Sequence, residues 1–275
     1  MRISLLFSLL TMFFVGVTFA PVQAETVLFF SPTRIDVTDQ QPVQEIRVTN
    51  MSSIARSYTL SIENLIMSEA GQTMRVDNFD YSAKRMLRFV PRKFDLKPGE
   101  KQIIRIMARF PQDTADGEYH AHIEFLEDLS RREELNKDVP SDNRAHMKAQ
   151  ISYATAIPVI ISKGEIKTEV SMSNLILGKD KKERPEISLD LARSGNGQGN
   201  IFLEADYIAP DGSETKAAVR RTIYVYRELN LRHHRVVLEL LDYKDLKSGG
   251  SVRVKLYNRD VSEQDPVDTV LVAVP

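Results

Sequence analysis

The chain has 275 residues, with 37 Lys and Arg against 38 Asp and Glu, no cysteine and no tryptophan. Such a balance makes no electrostatic case for nucleic acid as a partner. The missing cysteines exclude thiol catalysis, thiolate zinc sites and iron–sulfur clusters, and the missing tryptophans weaken any case for a sugar- or base-stacking surface.

The first 24 residues, MRISLLFSLLTMFFVGVTFAPVQA, combine a positive start, an apolar run and small residues at Val22 and Ala24. They read as a secretory signal peptide, residues 1–24, cut after Ala24. The run is close to the shortest membrane span, so an anchor is the competing reading. The expectation is an exported, soluble mature chain with no stable membrane insertion. About 250 residues then remain, enough for two domains. The expected division is 25–162 and 163–275, at the Ser162–Glu165 stretch SKGE.

Strand signals follow in chain order. QEIRVTN puts Ile46 and Val48 on one face, KQIIRIMARF puts Ile104, Ile106 and Ala108 on one face, and GEYHAHIEF does the same for Tyr119, Ala121, Ile123 and Phe125. Between them, LKPGE places Pro98 and Gly99 at the centre of a type II turn. SAKRMLRFVPRKF, Ser82–Phe94, clusters Lys84, Arg85, Arg88, Arg92 and Lys93, the composition of a charged edge strand, with an anion site as the alternative. LEDLSRREELNK has little apolar face and reads as a solvated loop or short helix. With DVPSDNRA it makes a long connection over 126–146, a length that is more often functional or disordered than inert.

The next stretch, HMKAQISYATAIPVII from His146 to Ile161, alternates at strand period for more than twice the usual strand length. One face carries Met147, Ala149, Ile151, Tyr153, Thr155 and Ile157. In the second half EISLDLAR, NIFLEADYI, RTIYVY, HHRVVLEL and GSVRVKLYNR read as strands, SGNGQGN (Ser194–Asn200) as a hairpin turn, and Asp211-Gly212 as a hairpin signal. Many short strands with this spacing predict an all-β protein of antiparallel sandwiches.

Catalytic motifs are weak. The glycines at 195, 197 and 199 miss the dinucleotide spacing and precede a strand. His120, His122 and Glu124 share a strand face and could start a metal site, but they lack a fourth ligand; the alternative is the solvated face of an amphipathic strand. His233 and His234 point to opposite faces of any strand. Ser213–Lys216 matches S-x-x-K and Ser141–Asn143 matches S-D-N, but the order is reversed and no K-T-G is present. The expectation is no enzyme, no metal and no cofactor.

Three stretches carry a resemblance: FFSPTRIDV, RMLRFVPRKFDLKPGEKQIIRI and LDLARSGNGQGNIFLEADYIAPDG. In this order they resemble the periplasmic chaperones of bacterial chaperone–usher pili. The resemblance covers about a quarter of the chain. It implies two immunoglobulin-like β-sandwich domains with a cleft between them, and a periplasmic chaperone that binds pilus or surface-fibre subunits and delivers them to an outer-membrane usher without ATP. It also implies that the long strand is lent to a subunit that lacks its own last strand. Backbone hydrogen bonds would cap the subunit's sheet edge, and alternate side chains would fill its groove. Ile151, Tyr153 and Ile157 are the expected groove fillers, with Met147, Ala149 and Thr155 at the margins. Arg34 matches the family's anchor for the subunit's terminal carboxylate. The family's paired lysine is missing: that position holds Pro158, and Lys163 is one alternative cation. The loop before the strand also lacks the cysteine pair of the family's long-loop branch, which suggests a divergent member. Two other readings stand beside this one: a structural or adhesive envelope protein that keeps the strand for itself, and a hydrolase built on the His120–His122–Glu124 face.

Overall fold

The structure is a computed structural model, and it describes residues 27–137, 152 and 154–275. The first sandwich contains β1 (Leu28–Ser31), β2 (Ile35–Thr38), β3 (Val43–Asn50), β4 (Arg56–Glu63), β5 (Leu65–Met67), β6 (Thr73–Arg75), β7 (Leu87–Val90), β8 (Lys93–Leu96), β9 (Lys101–Ala108), β10 (Gly117–Glu127) and β11 (Ala154–Lys163). One sheet runs β1-β3-β9-β7 and the other β2-β11-β10-β4-β8, while β5 and β6 form a separate hairpin. The opening strand is divided between the sheets: β1 pairs antiparallel with β3, and beyond Pro32 β2 lies parallel to β11. The chain changes sheets again between β7 and β8, at Pro91. Proline has no N–H for a ladder, so it suits the points where a strand leaves one sheet for the other. This two-sheet antiparallel order with a divided first strand is immunoglobulin-like.

The alternation signals translate directly into packing. Ile46, Val48, Ile104, Ile106, Tyr119, Ala121, Ile123 and Phe125 all lie in the first core, with Ala108 packed against its margin. At the β8–β9 turn Gly99 has φ +74° and the Glu100 N–H bonds the Lys97 carbonyl, as a type II turn requires. The charged stretch after β10 forms α1 (Leu129–Leu135), capped by the Asp128 carboxylate on the Arg131 N–H.

The second sandwich contains β12 (Thr168–Lys179), β13 (Pro185–Gly195), β14 (Gly199–Ile208), β15 (Glu214–Lys216), β16 (Arg221–Val225), β17 (Leu231–Val237), β18 (Ser251–Asn258) and β19 (Asp268–Ala273). One sheet is β12-β13-β17; the other is β15-β14-β18-β19, with β16 also paired to β14. The Asp211-Gly212 hairpin forms between β14 and β15, with Gly212 at φ +84°.

The Ser194–Asn200 turn differs from its sequence reading. It joins β13 to β14, which belong to different sheets, so it is a corner between the two layers and no hairpin. Glycine is needed there because the corner presses on the interdomain link. A Cβ on Gly195 would fall 2.0 Å from the Lys167 carbonyl oxygen, and one on Gly197 would meet Ile166 and Thr168.

Candidate functional site

β11 pairs with β10 along its whole length, from Leu126 opposite Ala154 to Gly117 opposite Lys163. On its other side β2 covers only Val159 to Ser162. From Ala154 to Pro158, therefore, no strand among the described residues occupies the second edge of β11. Pro158 fits such a place, since proline is tolerated at edges. Leu126, across from Ala154, is one of the exposed large apolar residues.

The face of β11 decides which side chains are available. Ile157 is only 5% exposed and packs with Val159 and Ile161 in the first domain's own core. Ile157 was expected to fill a partner's groove; in the chain alone that side chain is taken up by its own sandwich. Thr155 is partly buried and Ala154 exposed. Met147, Ala149, Ile151 and Tyr153, the remaining expected donor residues, lie outside the described residues.

Arg34 precedes β2 and faces the second domain. Its Nε and Nη2 contact Asp36 Oδ1 at 2.9 and 2.8 Å, its guanidinium reaches the Gln198 side chain, and it stands 4.4 Å over the Tyr224 ring. The side chain is 16% exposed. Its position in the cleft suits the expected anchor, but its charge is already matched by Asp36. Lys163, the alternative second cation, donates to the Thr114 carbonyl.

Deeper in the cleft the polar groups hold the domains together. The Glu118 carboxylate accepts from the Gln198 N–H at 2.7 Å, the Glu118 N–H bonds the Asn196 carbonyl, and Arg227 Nη1 donates to the Glu118 carbonyl at 2.8 Å. Burial pushes the Glu118 carboxyl above the usual range, against the pull of the Gln198 N–H and of Arg34. Glu228 bridges in the same way: it accepts from the Met67 N–H at 2.9 Å and meets His120 Nε2 at 2.9 Å. Burial alone would raise its pKa. The His120 hydrogen bond and charge, with the Met67 N–H, outweigh that and hold it below the usual range.

The His120–His122 face is not solvated, contrary to the amphipathic-strand reading. These residues are 3% and 4% exposed because the second domain and Phe79 cover them, with Tyr226 packed against both rings. Burial, and then His120, push His122 down to about 4, so it is neutral near pH 7. Glu124 instead pairs with Arg75. The described residues hold no cluster of three or more His, Cys, Asp or Glu able to bind a metal, and no helix among them is long and apolar enough to cross a membrane.

Sequence reasoning missed Glu118, Gln198, Arg227 and Glu228. Each is one polar residue on a strand or loop, and only the docking of two distant segments gives it a partner. The one available hint was the glycine run at 195–199, which marks a close backbone approach.

No family model matches the chain, and no curated protein matches it. Among solved structures it is similar to the class 5 fimbriae chaperone CfaA, at 14% identity over 90% of this chain and 99% of that one, TM-score 0.42. A chain of the CsuC–CsuE chaperone–tip adhesion subunit pre-assembly complex from archaic chaperone-usher Csu pili of Acinetobacter baumannii is 10% identical over 89% of this chain and 96% of that one, TM-score 0.44. A chain of the Salmonella enterica SafA pilin complex with the SafB chaperone is 11% identical over 90% and 96%, TM-score 0.41. Each of these three structures is, or contains, a chaperone by its own description. At such low identity and such TM-scores, the functional reading rests on this chain's own residues.

Proposed function

We propose that this chain is a non-enzymatic periplasmic chaperone, exported by residues 1–24, that holds pilus or surface-fibre subunits by lending them a β-strand and passes them to an outer-membrane usher. The observation that carries this reading is the open edge of β11 at Ala154–Pro158. It continues, in sequence, the apolar alternation Met147, Ala149, Ile151, Tyr153. An incomplete subunit sandwich exposes a sheet edge and an apolar slot, and an added strand covers both. With Ile157 held in its own core, the groove-filling set is Met147, Ala149, Ile151 and Tyr153, with Thr155 at the margin. Each buried Ile or Tyr side chain contributes roughly 1.5–3 kcal/mol to such a complex. Arg34 is the proposed carboxylate anchor, with Asp36 as its competitor.

A second reading, an envelope protein that keeps the strand for itself, is favoured by the burial of Ile157, Val159 and Ile161. Periplasmic co-expression with the subunits encoded nearby, followed by pull-down, separates the two. The chaperone reading expects co-purification, and expects Ile151→Asn to weaken it by about 1–3 kcal/mol through an unpaired amide in the groove. Undiminished capture by Ile151→Asn counts against the lent strand, and no capture by the unmodified chain favours the second reading.

A further inference from the structure

The core-facing side of β17 carries the wrong residues for a core. In its antiparallel register with β13, Arg232, His234 and Val236 stand beside Leu191, Leu189 and Ile187, the buried residues of the second core. An arginine and a histidine therefore point between the sheets where aliphatic residues are the rule. Across from them β16 is the other strand at this side of the sandwich, paired only to β14. Between β16 and β17 the layers stand apart around a cavity of about 470 Å³, floored by Leu203 and Ile223 and bordered by Met67 of the first domain's β5–β6 hairpin.

The charges around this cavity do not cancel. Arg221 pairs with Glu239 at 3.2 Å, Arg184 with Asp180 at 2.7 Å and Arg235 with Glu186 at 3.8 Å. Arg232 has no carboxylate partner among the described residues. Its Nη1 donates to the Tyr224 carbonyl, its Nε is buried without a partner, and its guanidinium lies against Gly71, whose Cβ would fall 2.6 Å from Nη2. One uncompensated guanidinium over an apolar floor matches a monoanion with an aliphatic tail. The volume suits a single aliphatic chain with its head on the guanidinium.

We propose that the seam between β16 and β17 is a binding site for a single-chain aliphatic carboxylate, its head on Arg232 and its tail over Leu203 and Ile223. This site is separate from the β11 edge, so its test needs no subunit. Calorimetric titration of the full, delipidated chain with dodecanoate, dodecanol and dodecyltrimethylammonium reads it directly. Saturable one-to-one dodecanoate binding is expected, at least about tenfold tighter than either comparison compound, and weakened at least about tenfold by Arg232→Met. No dodecanoate binding, equal binding of the cationic amphiphile, or unchanged binding by a folded Arg232→Met chain overturns the proposal. If Arg232→Met fails to fold, Val219→Glu at the exposed mouth should cause the same loss; retained binding there overturns it equally.

Discussion

His122 lies opposite Pro158 on β10, beside His120 and the Tyr226 ring and near Glu228. Its folded pKa of about 4 is below the ordinary 6.5, so as pH falls the unfolded chain takes up the proton first. Its contribution is thus complete above pH 6.5 and is lost as pH falls towards 4. His234, lowered to about 4 by burial and then by Arg232, acts in the same direction. Each shift is worth at most about 3 kcal/mol. Urea unfolding across pH 7 to 4.5 should show stability falling in this window, and His122→Leu should make the fall shallower; an unchanged slope counts against the buried neutral histidine. Arg34 gives a second case at this scale. If it takes a subunit's terminal carboxylate, Asp36 competes for it. Asp36→Asn should then tighten subunit binding by up to about 1 kcal/mol and Arg34→Ala should weaken it, both read as changes in Kd. The sequence pointed to Arg34 but not to its pairing with Asp36 or to the burial of His120 and His122. Local alternation assigns a face to a residue, and only the second domain decides what covers that face.

At the scale of elements, successive backbone N–H groups of a strand point to opposite sides. Thr155→Pro and Ala156→Pro therefore remove different bonds from β11. One deletes a donor towards β10 and should destabilise the first domain by about 1–3 kcal/mol, the cost of a buried carbonyl left without its partner. The other deletes a donor from the open edge, and should leave the melting temperature near that of the unmodified chain while abolishing subunit capture. Two variants that both keep capture would deny the edge a role. The strands themselves were legible because Ile46–Val48, Ile104–Ile106 and Tyr119–Phe125 alternate cleanly and turn residues separate them. The glycine-rich corner was not: turn chemistry shows that the chain reverses, not whether the next strand joins the same sheet. The burial of Ile157 was hidden for a related reason. A period of two runs unbroken from Met147 to Ile161, and nothing in it marks where the strand enters its own sandwich.

Across the whole molecule, the two sandwiches meet through Glu118, Gln198, Arg227, Glu228 and His120, all of which bond across the junction. Arg193, buried, supports the second domain's side of this junction by donating to the carbonyls of Leu229, Gly195, Gly197 and Arg227. These bonds fix the second domain against one face of β10, and β11 runs along β10's edge beside it. The open stretch of β11 is then held by a rigid neighbour, as a strand offered to another chain must be. Amide hydrogen exchange of the free chain and of its complex with a fibre subunit tests the proposed lending of β11 most directly. The open-edge amides between Ala154 and Ile157 should exchange quickly in the free chain and become strongly protected in the complex. A complex that forms while those amides keep their free-state exchange rates would contradict it.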